Sequence, residues 1–337
     1  MARPKVYVTR QLPPPAIDML RERCDVEVFQ EPRPVPREVL MEKARQVDGL
    51  LCIPGDRVDR ELLAAAPQLK VVSSFSVGVD HIDVAEATRR GIYVGHTPGV
   101  LTDATADHTW ALLLATARRV AEADRFMRAR RWKVGWSPTF FFGADVWGAT
   151  LGIIGLGRIG VAVARRARGF NMRVLYYDVR RPPKEVEEEV GAEYVELDEL
   201  LARSDFVTVH VPLTDETRGL IGERELRLMK PTAHLVNTAR GPIVNQQALY
   251  RALKEGWIAG AALDVFDQEP IEPDNPLLEL ENVVLTPHIA SATPTARQRM
   301  SELAGRNLLA VLKGEMPPHL YNPEVLKVRP LERVKMI

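Results

Sequence analysis

Only two cysteines, Cys24 and Cys52, occur in 337 residues. They are too few for a disulfide framework and lack the paired spacing of a zinc site, so no metal centre is expected. Charge of one sign is missing as well. The 45 basic residues balance the 45 acidic ones, leaving no net field to hold nucleic acid or an anionic membrane. Long apolar runs are also absent: the longest, 111–117 with its neighbours, falls short of the roughly 18 consecutive residues a spanning helix needs. Neither nucleic acid nor membrane is expected as a partner. The opening Met1-Ala2-Arg3-Pro4-Lys5 runs straight into the strand-like Val6-Tyr7-Val8, leaving no room for a signal peptide's apolar stretch. A cytoplasmic location is expected. Asn and Gln are scarce, whereas proline (25 residues) exceeds its usual share and 27% of residues are charged, a balance found in heat-adapted proteins.

What is present is rhythm. The chain is too long for one ordinary core, which tends to split beyond roughly 250–300 residues, so two domains are expected. Strand-like runs at 5–9, 26–29, 49–53, 70–74 and 92–94 alternate with helical patterns at 13–22, 36–46, 60–65 and 84–90. A second series of strands is predicted at 150–154, 173–177, 206–210, 233–237, 259–264 and 283–286. Such βαβα alternation predicts two doubly wound parallel-sheet α/β domains. Between the series one long helix is predicted over 102–130, with Thr102 and Asp103 as cap candidates and Ala111-Leu112-Leu113-Leu114-Ala115 apolar nearly all round. The stretch 132–142, rich in Trp and Phe, has no clean period and reads as a loop packed on another surface. A helix predicted over 294–313 needs a partner for its apolar face, and the basic tail 321–337 has no readable pattern.

The strongest local signal is Leu151-Gly152-Ile153-Ile154-Gly155-Leu156-Gly157-Arg158-Ile159-Gly160, a buried strand leading into G-x-G-x-x-G at the mouth of a helix. Gly155 permits the tight turn, Gly157 lets the backbone approach a pyrophosphate, and Gly160 allows close helix–strand packing, while the helix N-terminus offers N–H donors. The motif alone is weak. Here a second strand follows and ends in Asp178, at the distance of roughly 20 residues where a carboxylate binds ribose hydroxyls and repels a 2′-phosphate. That favours NAD. Arg180 and Arg181 would serve NADP if Asp178 turned away, or they are solvated loop charges; the sequence leaves both open.

Three further segments carry chemistry: Asn237-Thr238-Ala239-Arg240-Gly241, Leu263-Asp264-Val265-Phe266-Asp267-Gln268-Glu269-Pro270 and Thr286-Pro287-His288-Ile289-Ala290. With Ser76-Val77-Gly78-Val79-Asp80-His81-Ile82-Asp83 and Thr102-Asp103-Ala104-Thr105-Ala106-Asp107, they resemble the D-isomer-specific 2-hydroxyacid dehydrogenases. The likeness is strongest to the archaeal glyoxylate reductase branch and runs to about Asn322. Reducing a 2-keto acid requires anchoring a carboxylate, delivering a hydride and supplying a proton to the developing alkoxide. Arg240 offers a planar, always-charged fork for the carboxylate. His288, with an ordinary pKa of about 6.5, can give or take the proton. Glu269, bonded to the other ring nitrogen, would orient His288 and favour its charged form. Singly, each has a bland alternative: an ion pair, a surface carboxylate, a histidine at a strand end.

The resemblance implies a flavodoxin-like substrate-binding domain (1–98 and 290–325) and a Rossmann NAD(P)-binding domain (99–289) with a cleft between them. It implies that the Val77 and Gly78 amides hold the substrate carboxylate with Ile53 lining the pocket, that Thr105 orients the nicotinamide, and that Asp264 bonds its carboxamide. Arg158, Ile159, His210, Val211, Pro212, Thr217, Thr238, Ala239 and Ala290 complete the implied cofactor contacts, together with Arg240 and His288. A homodimer through the 102–130 helix and the 132–142 loop is expected. Ala290 departs from a glycine common in the branch, Phe140 stands where an aromatic, often Trp, reaches a neighbouring subunit, and Pro54-Gly55 replaces a more aliphatic pair. These departures bear on substrate preference. The implied reaction is reduction of glyoxylate, with hydroxypyruvate beside it; the alternatives are phosphoglycerate dehydrogenase and a nucleotide-sensing protein like the C-terminal-binding co-repressors. Formate and phosphite dehydrogenases are disfavoured because Gln does not replace Glu269, nor Lys Val77. His81, His96, His108, His234 and His319 receive no task.

Overall fold

The computed structural model describes residues 3–337. In chain order its elements are β1 (Lys5–Val8), α1 (Ala16–Arg23), β2 (Asp25–Val28), α2 (Arg37–Ala44), β3 (Gly49–Cys52), α3 (Arg60–Ala65), β4 (Val71–Ser74), α4 (Val84–Arg89) and β5 (Tyr93–Gly95). There follow α5 (Thr102–Ala117), α6 (Val120–Arg128), β6 (Thr150–Ile154), α7 (Arg158–Ala167), β7 (Arg173–Tyr177), α8 (Lys184–Val190), β8 (Ala192–Tyr194), α9 (Leu197–Arg203) and β9 (Phe206–Val209). The chain closes with α10 (Glu223–Leu228), β10 (His234–Asn237), α11 (Gln246–Lys254), β11 (Gly260–Leu263), β12 (Val283–Leu285), α12 (Pro294–Leu312) and α13 (Val325–Val328). Every predicted strand forms, each end within one residue of its predicted place. The short strand β8 was not among them.

The chain divides into two compact units, Met1–Leu101 with Ala292–Ile337, and Thr102–Ser291. The first carries a parallel sheet in the order β2-β1-β3-β4-β5, the flavodoxin-like winding. Its strands β3 and β4 are buried along their full length, as expected when both faces of a parallel sheet are covered. Asp59 and Asp83 cap α3 and α4 by accepting from the Leu62 and Glu86 amides at 3.0 and 2.9 Å. Within this unit α12 lies on α1, β3, β4 and β5. Gly305 of α12 approaches Ala16 so closely that a Cβ would sit 3.2 Å from its Cα.

The tail is integral to this unit. Asn322, fully buried, accepts from the Val94 amide at 2.8 Å and donates to the Ile92 carbonyl at 3.0 Å and the Thr88 hydroxyl at 2.8 Å. Tyr93 donates its hydroxyl proton to the Arg329 carbonyl. The tail satisfies edge-strand groups that would otherwise invite pairing with another chain.

The second unit carries a seven-stranded parallel sheet, β12-β11-β10-β9-β6-β7-β8; counted from β6, this is the Rossmann order extended by one strand. Alternation sorts its side chains between two cores. Val174, Tyr176 and Phe206 meet Trp110, Leu113 and Val163 of α5 and α7 on one face. Leu175, Val207 and Val209 meet Leu200, Leu226 and Leu249 of α9, α10 and α11 on the other. Trp110 stacks on Phe170 at 4.8 Å and donates to the Val163 carbonyl, pinning α5 to α7.

The single helix expected over 102–130 is two. Arg119 takes φ 54°, a left-handed conformation, and separates α5 from α6. The cause is a distant contact: the Ala117 carbonyl accepts from the Ala144 amide at 2.8 Å. Gly143 passes so near that a Cβ there would lie 2.4 Å from the same oxygen. On the surface Arg224 joins Asp198 and Glu225, and Glu223 joins Arg227 and Arg251, the kind of network that contributes most at high temperature.

Candidate active site

Three loops leave the carboxyl ends of β10, β11 and β12, where ligands of open α/β sheets gather. After β10 the buried Asn237 folds the chain into a turn: its Oδ1 accepts from the Ala239 amide at 3.0 Å and its Nδ2 donates to the Arg240 carbonyl at 2.8 Å. Arg240 donates from Nη1 to the Ala239 carbonyl at 2.8 Å. Gly241 next lies against the β11 loop, where a Cβ would fall 2.0 Å from the Phe266 carbonyl carbon. Only glycine allows the loops of Arg240 and Glu269 to touch. The Thr238 hydroxyl meets that of Thr109 at 2.9 Å, and Thr109 donates to the Thr105 carbonyl, anchoring the turn to α5.

Glu269 accepts from the Phe266 amide through Oε1 at 3.0 Å and receives Nδ1 of His288 on Oε2 at 2.6 Å. A carboxylate only accepts, so Nδ1 carries the proton and Nε2 is left for exchange with a ligand. Both side chains are about one third exposed, at 34% and 35%. The His288 backbone has φ 52°, unusual for a residue with a side chain. Behind it lies Asp264, with no exposed surface. Its Oδ1 accepts from the Ile289 amide at 2.8 Å and the Thr286 hydroxyl at 2.7 Å, and its Oδ2 from the Ala290 amide at 2.7 Å.

The glycine loop lies at the switch point between β6 and β9. Gly155 has φ 96°, and a Cβ there would meet Val211 Cγ1 at 2.8 Å; a Cβ on Gly160 would fall 2.1 Å from the Gly155 carbonyl oxygen. Both glycines answer to the protein's own packing. Gly157 does not: a Cβ would meet no atom within 4 Å, and it caps α7 without any side-chain partner for the helix amides. That open cradle of amides at a helix start, opened by Arg158 and Ile159, fits a dinucleotide diphosphate. Asp178 accepts from the Leu156 amide at 2.9 Å and from its own loop at Arg180 at 3.1 Å. Arg181 is engaged elsewhere, paired with Glu187 at 2.8 Å and lying over the Tyr194 ring at 4.8 Å. Burial holds the His210 ring neutral, its pKa pushed down to about 3, and its buried Nε2 has no partner among the described residues. Thr217 shapes the turn after it by donating to the Pro212 carbonyl at 2.6 Å.

A family model described as the NAD binding domain of D-isomer specific 2-hydroxyacid dehydrogenases matches residues 110–290, more than half of the chain. The chain belongs to this family. It is 59% identical to glyoxylate reductase of Thermofilum pendens over 339 aligned residues, with 100% of each chain covered. Among solved structures it is similar to a protein of Thermus thermophilus, with 48% identity, a TM-score of 0.88, and 94% and 99% of the two chains covered. It is also similar to the NADPH-dependent glyoxylate/hydroxypyruvate reductase of Sinorhizobium meliloti, solved with NADP and malonate, at 34% identity, a TM-score of 0.84, and 96% and 98% coverage.

In this D-2-hydroxyacid dehydrogenase the substrate residues expected outside the Rossmann unit lie at the carboxyl ends of β3 and β4. The Ile53 amide donates to Asp56 at 2.8 Å. The loop of Val77 and Gly78 is fixed through its carbonyls: that of Gly78 accepts from Ser76 Oγ at 2.6 Å, and that of Val77 faces His96 Nδ1 at 2.9 Å. Sequence reasoning overlooked Asn237 and His108. His108 had a signal, since it shares a face of α5 with Thr105 and Thr109 at helical spacing.

Proposed function

We propose that this dehydrogenase reduces glyoxylate to glycolate, and hydroxypyruvate to D-glycerate, with His288 as the proton donor. The observation that carries the reading is the His288–Glu269 pair, partly exposed on loops at the carboxyl ends of a Rossmann sheet, in a chain 59% identical over its whole length to a glyoxylate reductase. Residues 99–289 are read as the dinucleotide-binding domain, and 1–98 with 290–325 as the substrate-binding domain. Bound NADH or NADPH supplies the hydride that adds to the keto carbon. Arg240 grips the substrate carboxylate and polarises the keto oxygen. As the oxygen gains electrons, His288 gives it the Nε2 proton, and the neutral ring regains one from solvent. Glu269 keeps the ring in the tautomer and orientation this needs. The amides of Val77 and Gly78 and the side chain of Ile53 are assigned to the substrate. Thr105 and one remaining Oδ2 lone pair of Asp264 are assigned to the nicotinamide.

NADH is the proposed preferred cofactor. Asp178 stands at the end of β7, and Arg181 is committed to Glu187, which leaves Arg180 as the one arginine of the pair for a 2′-phosphate. The proposed dimer would cover α6, none of whose residues is buried, and the following loop, where Trp136 is 87% exposed. A stable monomer in sedimentation at micromolar concentration would remove that part. The enzyme is placed with its cofactor in the cytoplasm; activity that pellets with membranes would contradict this. Initial rates of NADH and NADPH oxidation with glyoxylate, hydroxypyruvate, pyruvate and 3-phosphohydroxypyruvate test the whole reading. Fast turnover of the first two supports it. Preference for the phosphorylated acid would favour phosphoglycerate dehydrogenase, and cofactor binding without turnover a sensor.

A further inference from the structure

A left-handed backbone at a residue with a side chain is strained and persists only where its surroundings over-determine it. His288 is such a residue. Its amide lies 2.9 Å from the Asp264 carbonyl and 3.1 Å from that of Thr286, and the next two amides, Ile289 and Ala290, both donate to the Asp264 carboxylate. One buried carboxylate therefore gathers the backbone on the far side of the proton donor. A carboxylate with no exposed surface is costly unless donors surround it. The last of those donors comes from α5. His108 Nε2 lies 3.1 Å from Thr286 Oγ1 and 3.4 Å from Asp264 Oδ1.

Proton counting fixes the direction of this contact. The one hydroxyl proton of Thr286 goes to Asp264 at 2.7 Å, so its oxygen accepts from His108, and Nε2 of His108 carries the proton. Burial raises the Asp264 pKa, but hydrogen bonds from His108, Ile289, Thr286 and Ala290 outweigh it and hold the carboxyl below its ordinary range. We infer that His108 is a positioning residue: through Thr286 and Asp264 it holds the 286–290 segment, and with it the His288 ring, in the geometry proton transfer needs. The inference rests on the proposed role of His288. His108 itself touches no reacting atom.

The test compares full-length His108→Ala and His108→Gln with the parent enzyme, reading kcat and KM for glyoxylate, NADH affinity by fluorescence, and thermal melting. Gln carries an N–H where Nε2 stands. His108→Ala is expected to lower kcat by about tenfold with NADH affinity within about twofold of the parent, and His108→Gln to recover most of the loss. Should the Ala variant melt below the assay temperature, Thr286→Val removes the same link and is expected to give the same loss in kcat. In the double variant the losses should not add. Parental kcat in His108→Ala, or equal impairment by Ala and Gln, would overturn the inference. An unimpaired His288→Ala would instead overturn the reading on which it rests, so the two failures are distinguishable.

Discussion

Two histidine–carboxylate pairs meet at the segments that leave β11 and β12 and differ mainly in their access to water. His288 and Glu269 meet at 2.6 Å with about a third of each side chain exposed. His108 and Asp264 lie 3.4 Å apart, with side-chain exposures of 18% and 0% and the Thr286 hydroxyl beside them. The chemical groups are the same. Exposure and the remaining partners divide their work: Glu269 spends one oxygen on a single amide and the other on its histidine, whereas Asp264 spends both oxygens on loop donors. A histidine backed by the first carboxylate can exchange a proton with substrate and regain it from solvent. One backed by the second can only hold shape.

The largest effect expected from this contrast is on His288 itself. His288→Ala should lower kcat by about 10²–10⁴-fold, as removal of a general acid does, while NADH affinity measured by fluorescence falls far less. Next comes Gly241→Ala, which would drive a Cβ into the Phe266 backbone at 2.0 Å. A loss of about 3 kcal/mol in chemical denaturation is expected, together with lost activity, because the loops of Arg240 and Glu269 must part. Gly157→Ala, which meets no protein atom within 4 Å, should leave stability intact and weaken NADH binding.

Asp264→Asn sharpens the buried side of the comparison. It sets an amide N–H against loop N–H donors and should cost about 2 kcal/mol in the same denaturation experiment. It should also remove an acid dependence. The folded pKa of Asp264 is lowered, so the stability it contributes is present above its unfolded value of about 3.9 and is lost as pH falls through the folded one. A second acid dependence concerns a histidine with no carboxylate. His234 stacks on Phe206, and its burial, opposed by a bond to the Thr232 backbone, pushes its pKa down to about 4. Between pH 6.5 and 4 the unfolded chain binds a proton that the folded one refuses, so stability falls on acidification by about 1.4 kcal/mol per pH unit. His234→Phe should flatten that slope; an unchanged slope would mean the ring is protonated in place.

Much of this was legible from local pattern. Buried parallel strands announce themselves as short apolar runs, and the glycine spacing of 155, 157 and 160, with Asp178 beyond, carries its own geometry. Arg240, Glu269 and His288 could be grouped because each follows such a run. What escaped depends on contacts between distant residues. Nothing in Arg118-Arg119 stops a helix; the break is imposed by Gly143 and Ala144 reaching the Ala117 carbonyl. The three-residue edge strand β8 is too short to show a period. The tail's order comes from Asn322 meeting β5, which has no local signature, and although helical spacing puts His108 on a face with Thr105, its partner is the Asp264 carboxylate after β11, more than a hundred residues away.

The central claim is that a hydride reaches the keto carbon while His288 supplies the proton, and following the hydride tests it most directly. Single turnover of NADH deuterated at C4 with hydroxypyruvate should give D-glycerate labelled at C2 from one of the two C4 epimers and unlabelled product from the other. Unlabelled product from both, or L-glycerate, would contradict the account.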